Sequence, residues 1–223
     1  MKTTKYLLII LLALGVTISC KKKKDAPPAT TPSNYQPLSA GSTWTYSSTS
    51  NSVTKSYTIT ATANDSVIDG NAYKVFLNSG GPHEYYYKAG NDYYRYSFFE
   101  ALNQALNLLY LRENYSVGDK WTQNKNATIN GVPGTAILEC VVAAKGVSHT
   151  VNGKTFTDVM DIKINPTFSV SGILLANNKA DIHYYFANNV GFIHSTTDLS
   201  VAIPFSAPYI FLGEVKLTDY TIK

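Results

Sequence analysis

The sequence predicts a mainly β protein: an antiparallel curved sheet, a half-barrel or a sandwich, built from two related halves with one short connecting helix. Three observations predict it. First, "YTITATA" (Tyr57 to Ala63) and "GEVKLTDYTIK" (Gly213 to Lys223) alternate between the two faces of a chain with period two, the period of a strand. Second, Asp69-Gly70 and Asn152-Gly153 stand between such runs, and these dipeptides favour the type I′ turn of a tight hairpin because both central residues need positive φ. Third, there are 17 tyrosines while charged residues make up only 15% of the chain. Aromatic and β-branched residues fill pleated, half-buried surfaces.

The two halves are read from matches in the same order. "GSTWTY" (Gly41 to Tyr46) resembles "GDKWTQ" (Gly118 to Gln123), and these hold both tryptophans. "VIDGNAYKV" (Val67 to Val75) resembles "TVNGKTFTDV" (Thr150 to Val159), and "YYKAGN" (Tyr86 to Asn91) resembles "YYFANN" (Tyr184 to Asn189). The halves run about 38–110 and 111–223, and the second carries longer strands or an insertion between its hairpin and its tyrosine pair. Trp44 and Trp121 are then core anchors opening each half, with a ligand platform as the alternative. "AILECVVAAK" (Ala136 to Lys145) and "DVMDIKI" (Asp158 to Ile164) read as strands, and "DIHYYFANNVGFIHST" (Asp181 to Thr196) as a hairpin around Asn188-Asn189. The helix is placed in "SFFEALNQALNLLYL", where Phe99, Leu102, Leu106 and Leu109 follow helical spacing. The tail of that segment could equally begin a strand.

The first 37 residues are organised differently. A basic start is followed by an uncharged run, Tyr6 to Ile18, too short for the roughly 20 residues a spanning helix needs. It suits the apolar region of a secretory signal. Cys20 follows Ser19, so residues 1–19 resemble a bacterial lipoprotein signal, with Thr17 where Leu is usual. The resemblance implies a diacylglycerol on Cys20 and attachment to a membrane through it. Two alternatives stand beside it: a disulfide between Cys20 and Cys140, the other cysteine, and an uncleaved anchor flanked by Lys21 to Lys24. Residues 20–37 read as a tether, lysine-rich and then proline-rich, extended and without a fold. One β domain occupies 38–223. If Cys20 is lipidated, Cys140 is left as a small buried hydrophobe.

Charge excludes one class of partner. Lys2, Lys5 and Lys21 to Lys24 account for six of 19 basic residues and Asp25 for one of 15 acidic ones, leaving 13 against 14. No basic face argues for nucleic acid. Motifs for catalysis are also missing. The four histidines form no H-E-x-x-H, there is no C-x-x-C, and no G-x-S-x-G elbow occurs. No cofactor and no metal are expected. The one cluster to name is Asp181, His183 and His194, which a hydrolase or a metal site would have to bring together in a cleft. Such an enzyme has no other support in the sequence.

The densest aromatic stretch is "HEYYYKAGNDYYRYSFF". Alternation splits its tyrosines between two faces. Tyr85, Tyr87 and Tyr94 with Arg95 make a candidate surface for a sugar, a peptide or a lipid, while cross-strand aromatic pairing explains the same residues structurally. "YQPLSAGSTWTYSST", "DGNAYKV", "YYKAGNDYYRY" and "VGFIHS" together resemble a family of Bacteroidota envelope lipoproteins of no assigned activity, whose mature domain opens with P-L-x-x-G-x-x-W-x-Y. The resemblance implies the curved sheet and a place in the cell envelope, at the outer membrane. The surface-export signal of that group is acidic, whereas this chain has "KKKKD", which favours the periplasmic leaflet. "DSV" (Asp65 to Val67) resembles the group's O-glycosylation motif and makes Ser66 a candidate acceptor at a turn. The expected function is a non-catalytic binding or structural role. The alternatives are a carrier of a lipid or other apolar ligand, and a hydrolase.

Overall fold

A computed structural model of the chain describes residues 33–99, 104–129, 132–202 and 207–223. Every regular element in them is a strand. They are β1 (Thr43–Ser50), β2 (Val53–Ile68), β3 (Asn71–Asn78), β4 (Glu84–Ala89), β5 (Asp92–Phe99), β6 (Gln104–Arg112) and β7 (Lys120–Ile129). There follow β8 (Val132–Val151), β9 (Lys154–Val170), β10 (Ile173–Leu175), β11 (Asn177–Ala187), β12 (Gly191–Val201) and β13 (Tyr209–Thr221). All pair antiparallel in one sheet of order β6-β5-β4-β3-β2-β1-β13-β12-β11-β9-β8-β7, with β10 beside β9.

The sheet curls until β6 and β7 face each other. The half-barrel expected from sequence is therefore nearly a full barrel. No ladder joins the two edge strands among the described residues; side chains do. Trp121 Nε1 and Gln123 Nε2 donate to Leu109 O at 2.9 and 2.8 Å, and Leu109 N donates back to Gln123 Oε1 at 2.8 Å. Lys125 Nζ donates to Asn107 O, and Gln104 Nε2 to Asn126 O. Such contacts satisfy the unpaired edge groups that would otherwise template another strand.

The expected helix is a correction. Ser97, Phe98 and Phe99 end β5, and Gln104 onward is β6; residues 100–103 lie outside the described set. The helical spacing runs over the end of one strand and into the next, and β6 carries a bulge. Tyr93 pairs with Leu111 and Tyr94 with Leu109, so Tyr110 is an extra residue that breaks the period of two.

The tight hairpins form where expected. Asp69 and Gly70 (φ 50° and 78°) join β2 to β3, and Asn152 and Gly153 (φ 49° and 77°) join β8 to β9, with positive φ at both central positions as a type I′ turn requires. β11 and β12 meet around Asn188-Asn189. Trp44 lies on β1 and Trp121 on β7, 1% and 6% exposed, and both belong to the core.

Antiparallel alternation sorts the connections between two ends. The links after β1, β3, β5, β7, β9 and β12 share one end, the mouth. The links after β2, β4, β6, β8 and β11 share the other, with the segment that precedes β1. That lower end is closed. Tyr35 is 2% exposed; its N–H donates to Tyr93 Oη at 3.2 Å and its hydroxyl to Asp158 Oδ1 at 3.1 Å. Asn34 exchanges bonds with Asn188 and Asn189. Glu113 collects Tyr93 Oη at 2.6 Å, Lys88 Nζ at 2.9 Å and the Ser33 hydroxyl; burial alone would raise its pKa, and these three donors outweigh that and lower it. Residues 33–37, the last of the expected tether, thus pack into the barrel floor.

Candidate functional site: the barrel lumen

Inward-facing residues of β1, β2, β4 to β6, β8, β9 and β11 to β13 surround a cavity of about 340 Å³. That lies within the range of roughly 300–1,000 Å³ for small-molecule sites. The wall is mostly apolar. Leu106, Leu108, Phe168, Leu199, Val201 and Phe211 line it toward the mouth. The pairs Leu199–Phe211 and Val201–Tyr209 show how the ladder between β12 and β13 puts cross-strand partners on this inner face. Outward positions on β9, β11 and β13 carry Lys163, Glu214 and Lys216 in ion pairs, and His183 within 2.8 Å of Asp161.

One polar cluster interrupts the wall. Glu84 opens β4 and is 5% exposed; Arg95 lies across β5, its Nε 2.9 Å from Glu84 Oε2. Glu84 also accepts from Tyr86 Oη at 2.7 Å and Asn78 Nδ2 at 3.2 Å. Burial works against the Arg95 charge, but Glu84 and the surrounding phenols outweigh it and raise its pKa. The 26% of its side chain that stays accessible belongs to a residue lining the cavity, so the open part faces the lumen. Tyrosines ring the pair. Burial raises Tyr46, Tyr86 and Tyr110 well above the ordinary phenol range, and Tyr57 to about 12, so all are protonated donors at neutral pH. Tyr46 spends its hydrogen on Phe192 O at 2.9 Å and Tyr86 on Glu84. The Tyr110 hydroxyl is buried with no hydrogen-bond partner among the described residues. It is the bulge residue of β6, and bulges commonly re-aim a side chain next to a site.

The residues singled out from sequence fall elsewhere, with one exception. Tyr85, Tyr87 and Tyr94 share the outer face, where Tyr85 packs on Tyr96 at 5.8 Å and Tyr87 on Tyr94 at 5.8 Å. Arg95 does not join them. It follows Tyr94 on the same strand and points to the opposite face, as neighbouring strand residues must. His183 and His194 are not opposite each other; His183 pairs with Thr196 and His194 with Tyr185. His183 Nδ1 is 2.8 Å from Asp161 Oδ1 and its Nε2 3.3 Å from Asp181 Oδ1. His194 bonds His149 Nε2 at 2.9 Å and Glu214 at 3.2 Å. The His149 ring stacks on Tyr185 at 4.0 Å, and burial beside His194 lowers its pKa. This cluster is on the outer wall and not in a cleft, and no three potential ligands converge for a metal among the described residues.

Ser66 is a strand residue of β2 paired with Tyr73, not a turn residue, and is half-buried. Cys20 lies outside the described residues. Cys140 is 2% exposed on β8, and burial pushes its thiol up to about 12, an inert group. Sequence reasoning missed Glu84 and Tyr110. Glu84 had a signal: it shares strand parity with Tyr86, as Arg95 does with Tyr93, which puts an acid and a base on the inward face of adjacent strands.

No protein-family model matches the chain, and no curated protein does. Among solved structures the barrel is similar to a "putative lipoprotein" from Parabacteroides distasonis. The TM-score is 0.51 at 10% identity, over 86% of this chain and 100% of that one. The likeness shows a shared fold.

Proposed function

We propose that the chain is a lipid-anchored protein of the cell envelope whose barrel holds an apolar ligand. One observation carries the ligand: a nearly closed barrel whose lumen is walled by apolar side chains and which the described residues leave unfilled over about 340 Å³. A purely structural barrel of this kind would fill its interior with side chains. The anchor rests on the signal and Cys20, and the similarity to a chain described as a lipoprotein supports it. The outer membrane, its periplasmic leaflet and a common origin of the two halves belong to the same proposal. In favour of the last, the matched stretches fall in the same order on β1 and β7, β2–β3 and β8–β9, and β4 and β11. The outer tyrosine face is the second place to seek a glycan or a peptide.

N-phenyl-1-naphthylamine, an uncharged apolar dye, should gain fluorescence with the full chain. Leu199→Trp, which fills the lumen, should weaken that binding by at least about tenfold, a loss of ~1.4 kcal/mol. Dye binding that ignores the substitution places the ligand outside the barrel and ends the carrier reading. The anchor is tested separately. Cys20→Ala should abolish incorporation of labelled palmitate in cells, and unchanged labelling would remove the lipoprotein assignment.

A further inference from the structure

We infer that the lumen selects its ligand by charge: an amphiphile with an uncharged, hydrogen-bond-accepting head, such as a fatty-acid ester or amide, over a free fatty acid. This rests on the apolar-ligand reading above and names the class of ligand. Among the described residues, the charged ones on the lumen wall are Glu84 and Arg95, which stand 2.9 Å apart as an ion pair. These two charges offset each other before any ligand arrives. A carboxylate entering it would approach Arg95 only by sharing it with Glu84, leaving one uncompensated negative charge in a low-dielectric space. Two carboxylates in one site repel, and burying an unpaired charge is costly.

The remaining polar capacity of the wall has the opposite character. The Tyr110 phenol is held protonated by burial and its hydroxyl has no partner among the described residues. It is a donor waiting for an acceptor. Tyr57 and Tyr184 line the same cavity, and burial raises their pKa values too. An ester or amide carbonyl accepts hydrogen bonds without bringing charge. The head of the ligand therefore sits at Tyr110 beside the ion pair, and its chain runs past Leu108 and Leu199 toward the mouth.

The test is displacement of N-phenyl-1-naphthylamine from the full chain by 1-monopalmitoylglycerol and by palmitate, which share one acyl chain. Wild type should favour the monoacylglycerol by about tenfold. Equal or better displacement by palmitate overturns the inference while leaving the apolar-ligand reading intact. Failure of both lipids, with a dye that does not bind, overturns that reading instead. Glu84→Gln removes the carboxylate 2.9 Å from Arg95 and should shift the preference toward palmitate. The double variant Glu84→Gln/Arg95→Gln, neutral again, should restore it. A preference that stays the same in all three proteins would show that the pair does not set selectivity. Tyr110→Phe should weaken monoacylglycerol binding about 3- to 10-fold, the range for one hydrogen bond, and leave dye binding unchanged. No loss would overturn the placement of the head.

Discussion

Trp44→Ala should lower the free energy of unfolding by about 3–5 kcal/mol in denaturant titration, the range for a large aromatic deleted from a core. The indole is 1% exposed, stacks on Phe76 with centroids 5.7 Å apart, and donates from Nε1 to Val190 O at 2.7 Å. It ties the first strand to the turn between β11 and β12, at the closed end. Trp44→Phe keeps a ring and loses the bond to Val190, so it should cost less, about 1–2 kcal/mol. Trp121→Ala should fall in the same range as Trp44→Ala, because its ring packs edge-on against Tyr115 and its Nε1 holds Leu109 O across the seam. Unfolding of both alanine variants at the wild-type midpoint would show that the tryptophans are not anchors, and would return them to the ligand-platform reading.

Glu84→Gln should cost about 2–4 kcal/mol, below the 3–5 kcal/mol for breaking a fully buried pair because Arg95 keeps some access to the lumen. The substitution removes the carboxylate that stands 2.9 Å from the Arg95 guanidinium. Glu84→Gln/Arg95→Met removes both charges and should lie within about 1 kcal/mol of wild type, since a buried pair often breaks even against uncharged residues of similar shape. A double variant as unstable as the single would mean that Glu84 acts through its bonds to Tyr86 and Asn78 rather than through Arg95.

What could be read from sequence was what local chemistry encodes. Period-two runs gave strands, Asp69-Gly70 and Asn152-Gly153 gave hairpins, and the two tryptophans gave core positions. What could not be read depended on partners far along the chain. The barrel is closed by Gln123 and Lys125 reaching carbonyls of Leu109 and Asn107, and nothing in either stretch announces the other. Tyr35 looked like part of a Pro- and Thr-rich spacer, because its partners Tyr93 and Asp158 are over 50 residues away. The bulge at Tyr110 turned a strand into an apparent helix. Arg95 was misplaced for a simpler reason: strict alternation after Tyr94 already sends it to the inner face.

The way the barrel is joined also bears on how it can change through evolution. A ladder between strands is made of backbone, and nearly any substitution preserves it. The join between β6 and β7 is written in a handful of side chains: Gln104, Trp121, Gln123 and Lys125. Single codon changes can therefore loosen this join, one bond at a time, while the ladders on the far side of both strands stay whole. A lineage that drifted at these positions would open the cylinder sideways and keep its fold. Relatives with wider or slotted barrels should differ from this chain first along that line, before their strands, hairpins or floor have changed.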